Sequence, residues 1–282
     1  MQTKKIIAVI FDFDDTLAPD STTGVLKRHG ADISAFWSET QELIRDGWDA
    51  VPAYLYKMLE ASSGGKIKPF TKTAFEEWGR ELPLHNGVKS LFARLQKQAA
   101  KTDSEIKVEY YCVSSGIGDI LRSTPIANNF TEVWASEFCY HADGKIAFPK
   151  KVISFTDKTR YIFQISKGFI GDEYRGDPLC VNRKIKREDI RIPFEQMIFV
   201  GDGLTDVPCF SLVMKQGGKA IGVYDKNSKS KWKQAWNFVE DGRVKNLHSA
   251  DYGARSDLSN SLAMAVDAIA ASIKEKDTGS SK

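Results

Sequence analysis

The stretch Ile6-Ile7-Ala8-Val9-Ile10-Phe11-Asp12-Phe13-Asp14-Asp15-Thr16 decides the fold. Its first half is a short apolar run without alternation, which is typical of a central strand in a parallel sheet covered on both faces. Its second half delivers three carboxylates and a hydroxyl to the strand end. Because ligands bind beyond the carboxyl ends of such strands, we interpret the aspartates as part of a functional site. Taken alone, the pattern also fits a solvated acidic turn.

Composition limits the classes of protein and of partner. The chain has 282 residues and a formal net charge of +3, which argues against nucleic acid or an anionic membrane as the main partner. The cysteines are far apart and form no Cys-x-x-Cys pair, so we expect free thiols in a reducing compartment. The apolar run 6–11 is too short for a signal peptide, and no stretch approaches the roughly 18 residues of a membrane helix. These features predict a cytoplasmic protein.

Two patterns alternate along the chain. From about 19 to 83, aromatic and aliphatic residues recur at three- and four-residue spacing, which predicts three or four helices in a separate layer. After Asn86-Gly87 the chain returns to a βαβ pattern. We therefore predict an α/β fold with a Rossmann-like, doubly wound parallel sheet as its core (residues 1–18 and 84–274). A small inserted α-helical cap is predicted at 19–83 and a disordered tail at 275–282.

The core elements are predicted from periodicity and from turn residues. A hairpin is expected around Asp143-Gly144, between β-prone stretches at 137–141 and 145–148. The predicted helices are 88–100, 117–126, 159–166, 207–214 and 258–273, and the other predicted strands are 108–113, 133–136, 197–200 and 220–224.

Polar clusters follow two more of the predicted strands. Ser114-Ser115-Gly116 comes after strand 108–113 and is expected to lead into a helix, whose N-terminus would bind an anion. Gly201-Asp202-Gly203-Leu204-Thr205-Asp206 comes after strand 197–200. Acidic clusters beyond two strands favour a shared cation, because like charges so close together would otherwise repel.

In order and spacing these pieces resemble the haloacid dehalogenase superfamily of aspartate-nucleophile phosphotransferases, from Ile6 to about Tyr224. Three of the superfamily's four motifs are matched directly. The remaining motif is one lysine, for which Lys158 is the best candidate and Lys151 the second choice. The direct matches are Asp12, Asp14 and Thr16 for Asp-x-Asp-x-Thr, Ser114 for the second motif, and Gly201, Asp202, Gly203 and Asp206 for Gly-Asp-Gly-x-x-Asp.

The resemblance implies a role for each matched residue. Asp12 would attack phosphorus to form an aspartyl-phosphate, and Asp14 would protonate the leaving oxygen and then activate water. Mg²⁺ would be held by Asp12, Asp202 and the Asp14 backbone carbonyl, with Asp206 supporting that shell. Asp15 receives no catalytic role and would face solvent or cap the turn. The phosphate would be held by Lys158, Ser114, Ser115, Gly116 and Thr16.

Asp14 also distinguishes between subgroups of the superfamily. Members that displace halide lack this second aspartate, and the ion-pumping members carry membrane helices and an Asp-Lys-Thr-Gly-Thr motif that is missing here. The chain looks most like the phosphoserine-phosphatase-like subgroup. Those enzymes read the substrate amine with a glutamate nine positions after the nucleophile, where this chain has Ser21. Phosphoserine is therefore a doubtful substrate, although neighbouring Asp20 keeps it open.

Substrate selection is expected in the cap, because a cap closing over Asp12 would exclude water and face the leaving group. Its candidate substrate readers are Ser21, Thr22, Arg28, Tyr54 and Lys57. The long connection 168–193 is expected at the opposite end of the sheet, as solvated surface or a subunit contact that would allow a homodimer.

The predicted function is a Mg²⁺-dependent phosphatase acting on a small phosphorylated metabolite. One alternative is a phosphomutase or phosphotransferase that uses the same aspartyl-phosphate. Another is a catalytically idle, phosphate-binding regulatory protein on the same fold.

Overall fold

The computed structural model describes residues 4–65, 67–226 and 229–279, which form a seven-stranded sheet in the order β4-β3-β2-β1-β5-β6-β7. The strands are β1 (Ile6–Phe11), β2 (Lys107–Ile117), β3 (Glu132–Tyr140), β4 (Ile146–Lys151), β5 (Met197–Gly201), β6 (Lys219–Tyr224) and β7 (Asn246–Ser249). The helices before β2 are α1 (Ser21–Arg28), α2 (Ile33–Arg45), α3 (Ala50–Ser63), α4 (Lys72–Glu81) and α5 (Val88–Ala100). Those after it are α6 (Gly118–Leu121), α7 (Asp157–Lys167), α8 (Asp172–Arg175), α9 (Val207–Lys215), α10 (Lys229–Glu240) and α11 (Asp257–Gly279).

Strand β1 lies at the centre of the sheet and is buried on both faces. It pairs in parallel with β2 on one side and β5 on the other. Because successive side chains of a strand point to opposite faces, Ile7 and Val9 join a core with α5 and α11, whereas Ala8 and Ile10 join a second core with α7 and α9. Covering both faces explains why the run 6–11 lacks alternation, and the predicted α/β class is confirmed.

Most predicted core elements are present. The hairpin joins the antiparallel strands β3 and β4, and Gly144 adopts the left-handed φ of 80° that its turn requires. The helices α5, α7, α9 and α11 and the strands β1, β2, β5 and β6 lie at the predicted places.

Three predictions about elements were wrong. Strand β2 continues through Ser114-Ser115-Gly116 to Ile117, so these residues do not start a helix, and the helix predicted at 117–126 is only the short α6. Residues 275–279 belong to α11 and are not a disordered tail, while 280–282 lie outside the described residues. Helix α10 and strand β7 were missed. The tryptophans of α10, Trp232 and Trp236, are 45% and 42% exposed, so the apolar pattern of this helix does not follow its buried face.

Four helices, α1 to α4, lie between β1 and α5, where the sequence predicted the cap. Side-chain oxygens of Asp20, Asp32 and Thr71 accept from backbone amides at the starts of α1, α2 and α4 and so fix where these helices begin. Tyr54 on α3 donates to the Ser115 carbonyl on β2 at 2.6 Å, which seats this layer over the end of the sheet.

Among the described residues, no helix combines the length and the apolar character that crossing a bilayer requires.

Candidate active site

The register of the three central strands brings the polar clusters together. Phe11 at the end of β1 lies opposite Cys112 on β2 and Val200 on β5. Asp12 therefore emerges beside the residues that follow these two positions, and its backbone amide donates to the Val200 carbonyl at 2.9 Å. All three sequence motifs meet at one edge of the sheet.

Asp12 is held from two sides. The backbone amide of Phe13 donates to its Oδ1 at 2.7 Å, and Nζ of Lys158 lies 3.0 Å from its Oδ2. The Asp12 side chain is 8% exposed and that of Lys158 is fully buried. The Oδ2 oxygen of Asp12 thus faces a fixed positive charge, at the position where the sequence predicts a nucleophile.

Lys158, on the first turn of α7, links two strand ends. Its Nζ contacts Asp206 Oδ1 at 2.7 Å as well as Asp12, and it donates to Thr205 Oγ1 at 3.2 Å. Burial by itself lowers the pKa of Lys158, but Asp12 and then Asp206 reverse this and raise it above its usual value, so the side chain is a cation. Lys151, the second choice, instead lies 3.6 Å from Glu137 in a separate ion pair.

Both carboxylate oxygens of Asp206 contact protein groups. Its Oδ1 meets Lys158, and its Oδ2 accepts from the Gly203 amide at 3.1 Å. Burial, followed by the charge of Asp12, raises the pKa of Asp206 to about 6. Gly201 makes room for it, since a Cβ there would lie 2.3 Å from Asp206 Oδ2. These contacts fix the Asp206 carboxylate behind Asp12, and its supporting role stays a prediction.

Asp202 lies on the open side of the same cluster. Thr16 donates to its Oδ1 at 3.4 Å, so the hydroxyl expected to bind phosphate lies against a carboxylate. Burial, and then the charges of Asp12 and Asp206, raise the pKa of Asp202 well above its usual range.

The carboxylates of Asp12, Asp202 and Asp206 each offer an oxygen, and these oxygens all lie within 4.8 Å of one another. Three carboxylates this close together carry more negative charge than the single lysine beside them can balance. A hard divalent cation that prefers oxygen ligands fits this donor set.

Asp14 points toward the cap. The Ser21 backbone amide, at the start of α1, donates to its Oδ1 at 2.7 Å. Burial, and secondarily the charge of Asp20, raise the pKa of Asp14 to about 8. Gly116 packs against the other oxygen, because a Cβ there would lie 2.6 Å from Asp14 Oδ2. A carboxyl that retains its proton near neutral pH is suited to act as a general acid.

The Ser114-Ser115-Gly116 segment reaches the site as the end of strand β2. Ser114 is 1% exposed, and its Oγ accepts from the Gly116 amide at 3.1 Å. The predicted helix N-terminus is absent here, because helix α6 begins two residues later at Gly118. Any anion at this position would therefore be held by strand-end groups and by Lys158, without a helix dipole of useful length.

The cap candidates divide into two groups. Ser21 and Tyr54 lie next to Asp14 and Ser115, respectively. Arg28 pairs with Glu81 at 2.5 Å, and Lys57 lies 2.7 Å from Glu39 and 2.6 Å from Glu60, so both of these cations are used elsewhere. Thr22 is buried in α1.

Two contributors were missed by sequence reasoning. Thr205 accepts from Lys158, and Ser136 on β3 accepts from the Ile153 amide at 3.0 Å. Thr205 falls on a variable position of the fourth motif, and Ser136 lies inside an ordinary strand, so neither carries a pattern.

The connection 168–193 contacts the sheet at two levels. Arg191 binds Glu109 near the start of β2 at 2.5 Å, toward the strand end opposite Asp12. The Gly171 amide donates at 2.9 Å to Glu132, which lies level with Ile10 and therefore nearer the site. Only part of the connection lies at the end of the sheet where the sequence predicted it.

Known proteins show the same fold. The chain superimposes on a HAD family hydrolase from Salmonella enterica serovar Typhi with a TM-score of 0.58 and 12% identity, covering 87% of this chain and 67% of that one. For a probable phosphoserine phosphatase from Vibrio cholerae the TM-score is 0.57 at 13% identity, over 98% and 68% of the chains. A phosphoserine phosphatase solved as a phospho-aspartyl intermediate analogue gives a TM-score of 0.52 and 17% identity, over 91% and 97%. The architecture is therefore that of haloacid dehalogenase-type hydrolases and phosphoserine phosphatases.

At the sequence level, an uncharacterised protein of Borreliella burgdorferi is 28% identical over 285 residues, covering 91% of this chain and 95% of that protein. No protein-family model matches the chain.

Proposed function

We propose that this protein is a phosphatase that hydrolyses a small phosphorylated metabolite through an aspartyl-phosphate at Asp12. The observation that carries the proposal is the buried Lys158, whose Nζ lies 3.0 Å from Asp12 Oδ2 and 2.7 Å from Asp206 Oδ1. Burying a lysine destabilises a fold unless its charge is paired. Here it lies where a phosphate bound at Asp12 would need a counter-charge.

In the first half-reaction a carboxylate oxygen of Asp12 forms a bond to phosphorus while the bond to the ester oxygen breaks. Asp14 gives its proton to that leaving oxygen, consistent with a pKa of about 8. In the second half-reaction Asp14 takes a proton from water as the water oxygen bonds to phosphorus and the bond to Asp12 breaks. Phosphate and the free alcohol are the products, and both aspartates return to their starting states.

Lys158 and Ser114 would hold the oxygens of the transferring group during both steps. Fixed donors of this kind act most strongly in a site from which water is excluded. The burial of Ser114 and Lys158 supports this role.

Asp12, Asp202 and the Asp14 backbone carbonyl would hold Mg²⁺, with Asp206 fixed behind them by Lys158 and Gly203. When bound, Mg²⁺ supplies positive charge that offsets the charge on the phosphoryl oxygens. The supporting observation is the carboxylate cluster within 4.8 Å.

The solved structures support the same chemistry by their fold, and one of them is a phosphoserine phosphatase held as a phospho-aspartyl intermediate analogue. A cytoplasmic location, a small-molecule partner without nucleic acid or membrane, and a homodimer stay predictions from the sequence.

The proposal is tested by hydrolysis of p-nitrophenyl phosphate by the wild type, Asp12→Asn and Asp46→Asn, where Asp46 is an exposed cap aspartate. Asp12→Asn should lower kcat roughly a thousandfold or more, and Asp46→Asn should match the wild type. EDTA should abolish activity and added Mg²⁺ should restore it. Activity of Asp12→Asn equal to that of Asp46→Asn would reject the mechanism. Products recovered with an alcohol acceptor present would show whether water or the alcohol receives the phosphoryl group.

A further inference from the structure

Two buried serine hydroxyls near the site have no hydrogen-bond partner among the residues that the structure describes. Oγ of Ser21 and Oγ of Ser115 are both shielded from solvent, and the whole Ser21 residue is 0% exposed. A buried hydroxyl without a partner destabilises a fold, so most native hydroxyls are paired. Two in one place point to a ligand that completes them.

Both serines belong to segments that contact Asp14. The backbone amide of Ser21 donates to Asp14 Oδ1 at 2.7 Å, so the start of α1 lies against this carboxyl. Ser115 directly precedes Gly116, where a Cβ would lie 2.6 Å from the other Asp14 oxygen. The two serines thus flank the group proposed to protonate the leaving oxygen.

Tyr54 helps to position Ser115, and its own hydroxyl already has a hydrogen-bond partner. Its hydroxyl donates to the Ser115 carbonyl at 2.6 Å, and the residue is 8% exposed. Burial raises the pKa of Tyr54 above its usual value, Asp14 and Asp20 raise it further, and a hydrogen bond from Ser136 opposes them. The phenol is therefore a neutral wall of the same space.

The described part of the cap offers no buried cation free of an acidic partner. Every lysine and arginine described there is exposed except Lys57, which binds Glu39 and Glu60. A substrate carboxylate would therefore meet no preformed buried cation on the described cap. The nearby acid, Asp20, accepts from the Thr23 amide at 2.9 Å and from Thr23 Oγ1 at 2.5 Å, so both of its oxygens serve the start of α1.

We infer that the substrate is the phosphate ester of a neutral, hydroxyl-bearing alcohol, such as a polyol or sugar phosphate, with Ser21 and Ser115 binding the hydroxyls of its leaving group. The inference rests on the proposed phosphatase function and specifies its substrate class. Neutral hydroxyl groups are matched by neutral donors and acceptors, and a site with such groups discriminates against substrates that leave them unpaired.

The test compares kcat/KM for glycerol 3-phosphate, a hexose 6-phosphate, phosphoserine and p-nitrophenyl phosphate. At least one of the two hydroxyl-bearing substrates should exceed phosphoserine by about tenfold or more. Ser21→Ala and Ser115→Ala should each lower kcat/KM for that substrate by up to about tenfold, and the loss should be several-fold smaller for the aryl phosphate. Ser38→Ala, at an exposed cap serine, is the control and should leave the ratio between the substrates unchanged.

The outcomes separate this inference from the function on which it rests. Asp12-dependent hydrolysis of the aryl phosphate with phosphoserine as the preferred ester would overturn the substrate class and leave the phosphatase standing. Equal losses for all substrates in both serine variants, with unchanged thermal midpoints, would also overturn it. Failure to hydrolyse any of the esters would reject the proposed function itself.

Discussion

The two halves of the candidate site are built from opposite kinds of groups. On the sheet side, Asp12, Lys158 and Asp206 form a buried chain of charges in which the lysine bridges the two acids. Next to the cap, Ser21 of α1 and Ser115 of β2 present neutral hydroxyls that no group in the described part of the chain pairs. Under the two proposals above, the charged half would carry the chemistry and the neutral half would select the leaving group.

The charged half has a donor set that a cation could complete. Three carboxylate oxygens lie within 4.8 Å, and a single buried lysine meets two of these acids. Buried charges are tolerated when they are paired and are destabilising when a partner is removed. The neutral half carries no buried charge and so has no such requirement.

The largest effect should follow from removing the central cation. Lys158→Ala leaves Asp12 and Asp206 facing each other, so kcat should fall at least about a hundredfold, and the free energy of unfolding by about 3 kcal/mol. Lys151→Ala is the matched control, because that lysine is 3.6 Å from Glu137, which keeps two other cationic partners. Steady-state kinetics and urea unfolding without metal would measure both. If the two variants had the same kcat and the same free energy of unfolding, Lys158 would have no special role in the charged half.

The next effect concerns the contact between the halves. Gly116→Ala introduces a Cβ 2.6 Å from Asp14 Oδ2 and should displace the carboxyl, lowering kcat by about tenfold to a hundredfold. Gly176→Ala is the control, since nothing lies within 4 Å of a Cβ there. If Gly116→Ala retained wild-type kcat, Asp14 would not require its observed position.

A smaller effect is expected from the wall of the neutral half. Tyr54→Phe removes the donor to the Ser115 carbonyl, so the free energy of unfolding should fall by about 1 kcal/mol. KM for the preferred ester should rise more than kcat falls. Tyr56→Phe, on the same helix but 38% exposed, controls for loss of a hydroxyl. A change in kcat alone would place Tyr54 in the chemistry instead.

The smallest effect should come from a cap cation outside both halves. Arg28→Ala breaks a surface pair with Glu81 and a contact over the Trp78 ring at 5.9 Å. It should change the free energy of unfolding by less than about 1 kcal/mol and leave kcat/KM at the wild-type value for every ester. A selective loss for one substrate would return Arg28 to the set of substrate readers.

The same two halves differ in how far sequence could predict them. The run 6–11 and the acidic clusters after β1 and β5 reveal the charged half, because a buried strand and its polar end lie side by side in the chain. From the sequence, Lys158 could be proposed only with Lys151 as an alternative. The two lysines differ in burial, which the sequence does not reveal. The structure separates them by 0% and 29% side-chain exposure.

The neutral half depends on tertiary packing that leaves no local pattern. Tyr54 meets Ser115 across 61 positions of chain, and the lack of a partner for the Ser21 hydroxyl is a property of the packed cap. The predicted strand 108–113 ends too early for a related reason. Serine and glycine favour turns locally, but here the pairing of Ile117 with Ser136 carries the strand onward.

The central claim, a covalent intermediate on Asp12, is tested most directly by acid-quenching the enzyme during turnover and locating the phosphoryl group by peptide mass spectrometry. We expect one phosphoryl group on the peptide that contains Asp12, present with substrate and Mg²⁺ and missing in Asp12→Asn. Rapid hydrolysis with the phosphoryl group on another residue would contradict it.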